Sequence, residues 1–232
     1  MNSILYFIKN NKFNFLITFI YLVITIILML NHEIWRDEAQ VWCIVRDCNI
    51  QDMLKIIQID GHPPLWYFIL MPFAKLGFPV ITMQIISLII VFLSVLYILF
   101  KSPFNKFIKT VIVFSPAFIY FLPVIARNYA LIPIFIFLLA DLYKKRSHNP
   151  FLYAVLIVLL SNTHALILGF CLIVSAIFAF EQLQIAIKEK KVKPLIPLLL
   201  FLFNFIFLFL YFKNTISANH AISYYTATFH TE

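Results

Sequence analysis

The sequences WRDEAQ at residues 35–40 and GHPPLWY at residues 61–67 bracket the first long polar stretch of the chain, Asn31 to Pro64. This stretch combines acids, a histidine and several aromatic residues between hydrophobic segments. Ionisable groups are expensive inside a bilayer, so a dense group of them marks a loop or a functional site. We therefore expect any chemistry of this chain to start here, with the flanking segments serving as scaffold.

The hydrophobic segments dominate the composition. With 63% hydrophobic residues, 12% charged residues and only 3 glycines among 232 positions, the sequence cannot coat a soluble globule with polar surface. Helices satisfy every backbone amide within lipid, and the apolar runs lack the alternation of a membrane β-barrel. The sequence therefore predicts an all-α, polytopic bundle of transmembrane helices.

The net charge of +8 does not indicate a nucleic-acid partner, because the Lys and Arg residues lie in short clusters between apolar runs. Lys9 and Lys12 precede the apolar run 13–30, a pattern that a signal peptide would share. That run is long enough to span a bilayer, and no small-residue cleavage site follows it. We interpret it as an uncleaved first span.

Seven apolar runs are candidate spans: 13–30, 80–100, 110–125, 129–142, 151–161, 165–180 and 195–212. Between the first two lies the loop 31–79. We expect short interfacial helices in this loop, at 38–46 and 50–59. The first would place Glu38, Val41, Trp42 and Val45 on one face. The second would be capped by Asn49, with Asp52 in its first turn.

The distribution of basic residues predicts the topology. If the short apolar run 65–78 does not cross the bilayer, the cytoplasmic segments hold 12 of the 18 Lys and Arg residues and 3 of the 10 acids. If it crosses, this asymmetry is lost. We therefore predict about seven spans with the N-terminus inside. One extracytoplasmic surface then carries the loop 31–79, the turns at 127–129 and 162–164, and the tail 213–232.

Three charged residues just past the first span are candidates for chemistry. Asp37 and Glu38 lie near the headgroup plane, where a carboxylate is easily desolvated and can serve as a general base. The alternative is a pair of solvated loop acids. Arg36 is either their ion-pair partner or an anchor for a lipid phosphate.

Further polar residues interrupt apolar sequence. His62 precedes a Pro-Pro pair, which would hold it rigidly beside the loop acids, unless it only accompanies a helix start. Arg127 and Tyr129 lie in a turn between apolar runs. An arginine there either binds an anionic lipid headgroup or anchors the helix end by snorkelling. His164 lies in another such turn.

Together, the Asp37-Glu38 pair, HPPLWY at 62–67 and ARNYA at 126–130 resemble the integral-membrane GT-C glycosyltransferases. Among these enzymes, the chain resembles the protein O-mannosyltransferases and the bacterial aminoarabinose (lipid A) transferases. The resemblance covers most of the chain, so that residues 1–232 form a single transmembrane module.

The resemblance implies a cell-envelope enzyme that moves a sugar from a polyprenyl-phosphate donor to a hydroxyl or amine of a lipid, glycan or protein acceptor. It implies that Asp37 is the catalytic base and Glu38 its partner, and that Arg127 and Tyr129 lie near the donor phosphate. His62 matches a variable family position, and we add Arg36 and His164 as candidate substrate-binding residues. No cofactor is implied, and a divalent metal is left open.

Family members are usually much longer than this chain, which ends at Glu232. The resemblance therefore also implies a missing C-terminal half or a partner subunit. The alternative class is a non-catalytic membrane protein, either a transporter or flippase component or an inactive remnant that binds a lipid carrier. A transporter should carry polar residues in mid-span and broken helices. The predicted location is a bacterial plasma membrane, with the active face extracytoplasmic.

The three cysteines give no metal-ligand spacing. Cys43 and Cys48 share the polar loop and either pair, if that side is oxidising, or remain free thiols. Cys171 is expected to be buried.

Overall fold

The fold is known from a computed structural model that describes residues 6, 9–59 and 62–228, with residues 59 and 214–228 described by their backbone alone. Helices make up 81% of the structure, and the described residues contain no strand. The prediction of an all-α fold is confirmed.

Ten α-helices follow one another along the described residues. They are α1 (Lys12–Leu30), α2 (Arg36–Asp47), α3 (Ile50–Ile59), α4 (Leu65–Lys75), α5 (Ile81–Phe100), α6 (Lys106–Val113), α7 (Ile132–Leu142), α8 (Pro150–Ser161), α9 (Leu168–Glu189) and α10 (Ile196–Thr228). Shorter helical turns lie between them: a π-helix at Ala117–Phe121, and 3-10 turns at Asn128–Leu131, Tyr143–Lys145, Ala165–Ile167 and Lys193–Leu195.

Four helical segments of the described chain are long and apolar enough to cross a bilayer: Lys12–Leu30, Ile81–Phe100, Ala165–Glu189 and Lys193–Lys213. Each contains 19 to 25 residues. At a rise of about 1.5 Å per residue, such helices reach roughly the thickness of the hydrocarbon core. They indicate a membrane protein, as the composition predicts.

The other three predicted runs form shorter helices. The run 110–125 is interrupted near Pro116, which has no backbone N–H to donate, so α6 ends at Val113 and the π-helix follows. The run 129–142 begins as the 3-10 turn before α7, and the run 151–161 forms α8, with 12 residues. Hydrophobicity alone therefore did not predict where helical hydrogen bonding is interrupted.

The first loop contains the predicted short helices. In α2, Glu38, Val41, Trp42 and Val45 are buried, which confirms the predicted face. In α3, Asn49 Oδ1 accepts a hydrogen bond from the Asp52 N–H at 2.9 Å, which confirms the predicted cap. The tail after 213 continues α10 as a helix to Thr228, and residues 229–232 lie outside the described residues.

The chain forms two compact units, a division that the sequence pattern did not indicate. Unit 1 comprises Met1–Arg46 and Leu70–Phe137, and unit 2 comprises Asp47–Ile69 and Leu138–Glu232. In unit 1, α1 packs against α5. The buried core between these helices and α6 consists of Ile17, Tyr21, Val95, Ile98, Leu99 and Val113.

In unit 2, α10 packs against α8 and α3, and α8 also packs against α9. Arg146 joins the turn after α7 to α9 by donating from Nε and NH2 to the Glu181 carboxylate, at 2.7 and 2.5 Å. Its guanidinium also stacks on the Tyr143 ring, 3.9 Å from the centroid. The hydrogen bond to Glu181 raises the pKa of Arg146, so the guanidinium stays charged at any ordinary pH.

Polar side chains also join α8 to α10 inside unit 2. Asn204, only 9% exposed, accepts from Asn162 Nδ2 at 2.6 Å and donates to Ser161 Oγ at 2.9 Å. In an apolar surrounding, such interhelical bonds hold two helices in one register.

We expect Asn204→Leu to destabilise unit 2 by about 1 kcal/mol, the typical magnitude of an interhelical hydrogen bond in membranes. The free energy of unfolding in mixed micelles would measure this. Leu202→Ala, at a 55% exposed position of the same helix, serves as control and should change stability less. Equal stability of Asn204→Leu and wild type would show that these bonds do not stabilise the packing.

Candidate functional site

The candidate site in unit 1 centres on an ion pair between Asp37 and Arg127. Asp37 lies in the first turn of α2, where the helix dipole favours a negative charge. Its Oδ2 atom lies 2.8 Å from NH1 of Arg127. The Asp37 side chain is 65% exposed and the Arg127 side chain 14%. The structure thus brings together the two residues that the sequence analysis singled out on separate segments.

The backbone around Arg127 holds its side chain in place. Arg127 is extended, with φ −119° and ψ 165°, and caps the 3-10 turn Asn128–Leu131. Its N–H donates to the Ile125 carbonyl at 2.9 Å, and its own carbonyl accepts from the Ala130 N–H at 3.1 Å. The guanidinium faces the Tyr129 ring, 5.9 Å from the centroid, a cation–π distance. Arg127 and Tyr129 are therefore in contact with each other.

Glu38 has an entirely different environment from Asp37. Its side chain is fully buried. Oε1 accepts from the Ala126 N–H at 2.8 Å, and Oε2 accepts from the Trp35 N–H at 2.9 Å. The Trp35 carbonyl accepts the first helical hydrogen bonds of α2, so Trp35 is the N-cap residue. The Glu38 side chain, three positions later, accepts from the N-cap N–H, as the glutamate of a capping box does. Glu38 thus links the start of α2 to the segment in front of Arg127.

A buried histidine completes the contacts of Glu38. His32 Nε2 lies 2.9 Å from Oε2 of Glu38, and Nδ1 lies 3.1 Å from the Tyr120 hydroxyl. Nε2 therefore faces the Glu38 carboxylate as its donor, and Nδ1 faces the Tyr120 hydroxyl. The His32 side chain is 2% exposed.

The adjacent acids therefore have different environments. Asp37 is accessible and paired with an arginine, whereas Glu38 is buried and both of its carboxylate oxygens accept hydrogen bonds. No family model, curated protein or solved structure matches the chain. Of the two carboxylates, only Asp37 is open to a substrate from outside.

The sequence analysis missed His32 and Tyr120. His32 lies in the same polar break as the acids, six positions before Glu38, and this spacing was the available signal. Tyr120 lies in an apolar run interpreted as a span, so nothing in the pattern distinguished it. Arg36, in contrast, was predicted as a site residue. It lies exposed at the first position of α2 and takes no part in the ion pair of Asp37 with Arg127.

Unit 2 contains the two predicted histidines. The rings of His62 and His164 make an edge contact, with centroids 5.6 Å apart. The His62 carbonyl accepts from the Tyr211 hydroxyl at 2.8 Å. His164 Nδ1 accepts from the Leu166 N–H at 3.1 Å and so caps the 3-10 turn Ala165–Ile167. The structure therefore brings these two histidines together, at the end of α8 and the start of α4.

The cysteine, histidine and acidic side chains are the groups that could form a metal or redox site. Within the part of the chain that the structure describes, no group of three or more His, Cys, Asp or Glu side chains is placed to hold a metal ion. Cys43, Cys48 and Cys171 are all free thiols. Cys171 is buried, as predicted, and the free-thiol alternative holds for the two loop cysteines.

Proposed function

We propose that the chain is a membrane glycosyltransferase that moves a sugar from a polyprenyl-phosphate donor to an acceptor hydroxyl or amine. The resemblance to the GT-C enzymes first raises this function. The ion pair of Asp37 with Arg127 is the observation that supports it best. Glycosyl transfer from a phosphate needs a proton acceptor and a phosphate ligand within reach of the same bond, and these two side chains supply both.

In the proposed step, the acceptor oxygen or nitrogen attacks C1 of the sugar, and its proton passes to the Asp37 carboxylate. The bond from C1 to the phosphate oxygen breaks, and its electron pair leaves with the polyprenyl phosphate. Asp37 suits the role of base because its side chain is largely exposed at the start of α2.

Arg127 stabilises the leaving phosphate in this proposal. A guanidinium carries five N–H donors, more than one carboxylate oxygen can use, so it can bind a phosphate while it stays close to Asp37. The side chain is mostly buried and backed by the Tyr129 ring, which strengthens its interaction with an anion relative to an exposed arginine. Charge that develops on the leaving oxygen is then met by a fixed donor.

The proposed topology has seven spans, with the N-terminus in the cytoplasm of a bacterial cell and the site on the extracytoplasmic face. The excess of Lys and Arg in the proposed cytoplasmic segments supports it. Asp37 follows α1 by a few residues, so the site would lie at the headgroup level of the outer leaflet. A lipid donor suits this depth because its prenyl tail can remain in the bilayer.

Arg36, in unit 1, is exposed and enters the proposal as a contact for a lipid phosphate. His62 and His164, in unit 2, form a pair of imidazoles that can donate to an anionic or hydroxylated ligand of that unit. Glu38 is assigned a positioning role instead of a catalytic one, because its oxygens already accept hydrogen bonds from Ala126, Trp35 and His32. The acceptor is a lipid, glycan or protein.

A non-catalytic transport or lipid-binding role is the second candidate. One observation favours it: the long apolar helices bury polar side chains, including Gln84 and Ser87 in α5 and Gln182 in α9. Buried polar groups in spans are typical of transport pathways. Binding of the sugar-lipid without turnover by the wild-type protein would favour this role over transfer.

Arg127→Gln should lower kcat/KM for the donor by about 100-fold to 1,000-fold, the usual effect of removing one transition-state donor. Arg127→Lys should lose less, because it keeps the charge but not the planar fork. The assay follows radiolabelled sugar from undecaprenyl-phosphate monosaccharides into membrane vesicles of the expressing cells.

Arg146→Gln is the matched control, since Arg146 is also a mostly buried arginine paired with a carboxylate, but in unit 2. It should leave transfer by the folded fraction unchanged. Transfer that survives in Arg127→Gln at the wild-type rate would remove the phosphate-binding half of the proposal.

A further inference from the structure

We infer that His32 and Tyr120 are positioning residues that hold Asp37 and Arg127 at their working distance. Neither residue touches the ion pair. Both act through Glu38 and through the backbone in front of Arg127. The catalytic meaning of this inference rests on the proposed function, whereas the positioning itself is a property of the fold and can be tested without turnover.

The first step concerns Ala126, the residue directly before Arg127. Ala126 is fully buried, and its N–H donates to Oε1 of Glu38 at 2.8 Å. A buried backbone N–H that loses its partner is costly, so this bond strongly favours one position of the segment. Asp37 directly precedes Glu38 in the chain, and Arg127 directly follows Ala126. The same bond therefore fixes the distance between the backbone positions of the two ion-paired residues.

The second step concerns how Glu38 itself is held. A buried carboxylate needs several donors to offset its lost hydration. His32 Nε2 supplies one of them at 2.9 Å, next to the Trp35 N–H on the same oxygen. The imidazole ring contacts two aromatic rings, with centroids 5.9 Å from Trp35 and 5.8 Å from Tyr120. His32 therefore holds the Glu38 carboxylate in one orientation.

The third step concerns Tyr120, which completes a closed circuit of hydrogen bonds. Its hydroxyl lies 3.1 Å from Nδ1 of His32, while its carbonyl accepts from the N–H groups of Val124 and Ile125, at 3.0 and 3.3 Å. One residue thus holds His32 with its side chain and the segment before Ala126 with its backbone. The hydrogen bonds run from Tyr120 through His32 and Glu38 to Ala126, and back along the chain to Tyr120.

The π-helix Ala117–Phe121 explains why the Tyr120 side chain faces His32 in this circuit. It contains Tyr120 and follows Pro116, where regular α-helical bonding is interrupted. Single π-turns inside helices often occur at functional sites, because the extra residue re-aims a side chain. Here the irregular turn directs Tyr120 toward His32, and the buried Met29, Leu88 and Val124 pack around it.

A positioning role of His32 depends on the presence of Arg127, whereas a purely structural role does not. If His32 acts through Arg127, its removal matters only while Arg127 is present, and the two losses are not additive. If His32 only stabilises the fold, its removal has the same effect whether or not Arg127 is present. The conservative variant adds a second distinction, because Gln places an amide donor where Nε2 of His32 lies, toward Glu38.

The first measurement is binding of undecaprenyl phosphate to the full chain in lipid nanodiscs. We expect His32→Ala to weaken binding about 10-fold in the Arg127 background and less than twofold in Arg127→Gln. His32→Gln should stay within about threefold of wild type, and Tyr120→Phe, which loses only the hydroxyl, should lie between the two. Equal losses in both backgrounds, or a loss in His32→Gln as large as in His32→Ala, would overturn the inference.

The second measurement is amide hydrogen exchange, which needs no ligand. His32→Ala and Tyr120→Phe should speed exchange across residues 122–127 and leave α8 in unit 2 unchanged. Unchanged exchange at 122–127 would overturn the positioning role. If the wild type transfers no sugar although the exchange result is as expected, the proposed function fails while His32 and Tyr120 keep their positioning role.

Discussion

Asp37→Asn is expected to abolish sugar transfer while donor binding stays within about threefold of wild type. Asparagine keeps the shape of the side chain, and its amide oxygen can still accept from NH1 of Arg127, which in the native protein lies 2.8 Å from Oδ2 of Asp37. What it cannot do is take the proton of the acceptor. Loss of a general base typically lowers the rate of the chemical step by about 100-fold to 10,000-fold.

The measurement is the single-turnover rate of sugar transfer from a bound undecaprenyl-phosphate donor to acceptors in membrane vesicles of the expressing cells, with donor binding determined on the same preparation. Asp52→Asn is the matched control, because Asp52 is also an exposed acid in the first turn of a short loop helix. It should transfer at the wild-type rate. Asp37→Asn with full activity would show that another group takes the proton.

Glu38→Ala is expected to destabilise the fold by about 3–5 kcal/mol, the range found when one partner of a buried charged contact is removed. The substitution leaves the N–H groups of Trp35 and Ala126 and Nε2 of His32 without their acceptor. All three are at the fully buried carboxylate, where water cannot easily replace it. Glu38→Gln should lose less, since its amide oxygen can still accept some of these bonds.

The free energy of unfolding in mixed micelles measures this effect, with Trp35 and Trp42 as fluorescent reporters close to the substituted residue. Glu33→Ala is the control, since Glu33 is an exposed acid of the same loop, and it should change stability by less than about 0.5 kcal/mol. Equal stabilities of Glu38→Ala and wild type would mean that the buried contacts of Glu38 do not hold the loop.

Much of the helical fold was predictable, because long apolar runs have few alternatives in a membrane. The predicted first span, 13–30, agrees with α1 to one residue, and 151–161 agrees equally well with α8. The interruption at Pro116 was less predictable. A hydrophobic run reports that a segment avoids water, whereas proline changes the backbone hydrogen bonding without changing that tendency.

The candidate site was predictable in part, for a reason that lies in helix geometry. Successive residues of a helix point about 100° apart, so Asp37 and Glu38 cannot both face the core. The predicted apolar face of α2 already included Glu38, and the structure buries it there. The contacts that decide its role come from His32 and from the Ala126 N–H. Backbone donors are invisible in a sequence pattern.

The interhelical contacts of unit 2 show the same limit. Asn204 stands out as a polar residue within an apolar run, but its partners depend on how α8 and α10 face each other. Likewise, the turn sequences around His62 and His164 did not indicate that their rings would touch. Spacing along the chain predicts which residues share one helix face, and packing decides which faces meet.

In the proposed function, Asp37 and Arg127 together bind the sugar-phosphate donor and cleave its bond from C1 to the phosphate oxygen. The most direct test follows undecaprenyl-phosphate sugar and free undecaprenyl phosphate in membrane vesicles of cells that express wild type, Asp37→Asn or Arg127→Gln, because these vesicles supply the acceptor. We predict that the wild type releases sugar, that Asp37→Asn retains the intact donor, and that Arg127→Gln binds little of it. Intact donor in the wild-type sample, or sugar release by Asp37→Asn at the wild-type rate, would contradict the claim.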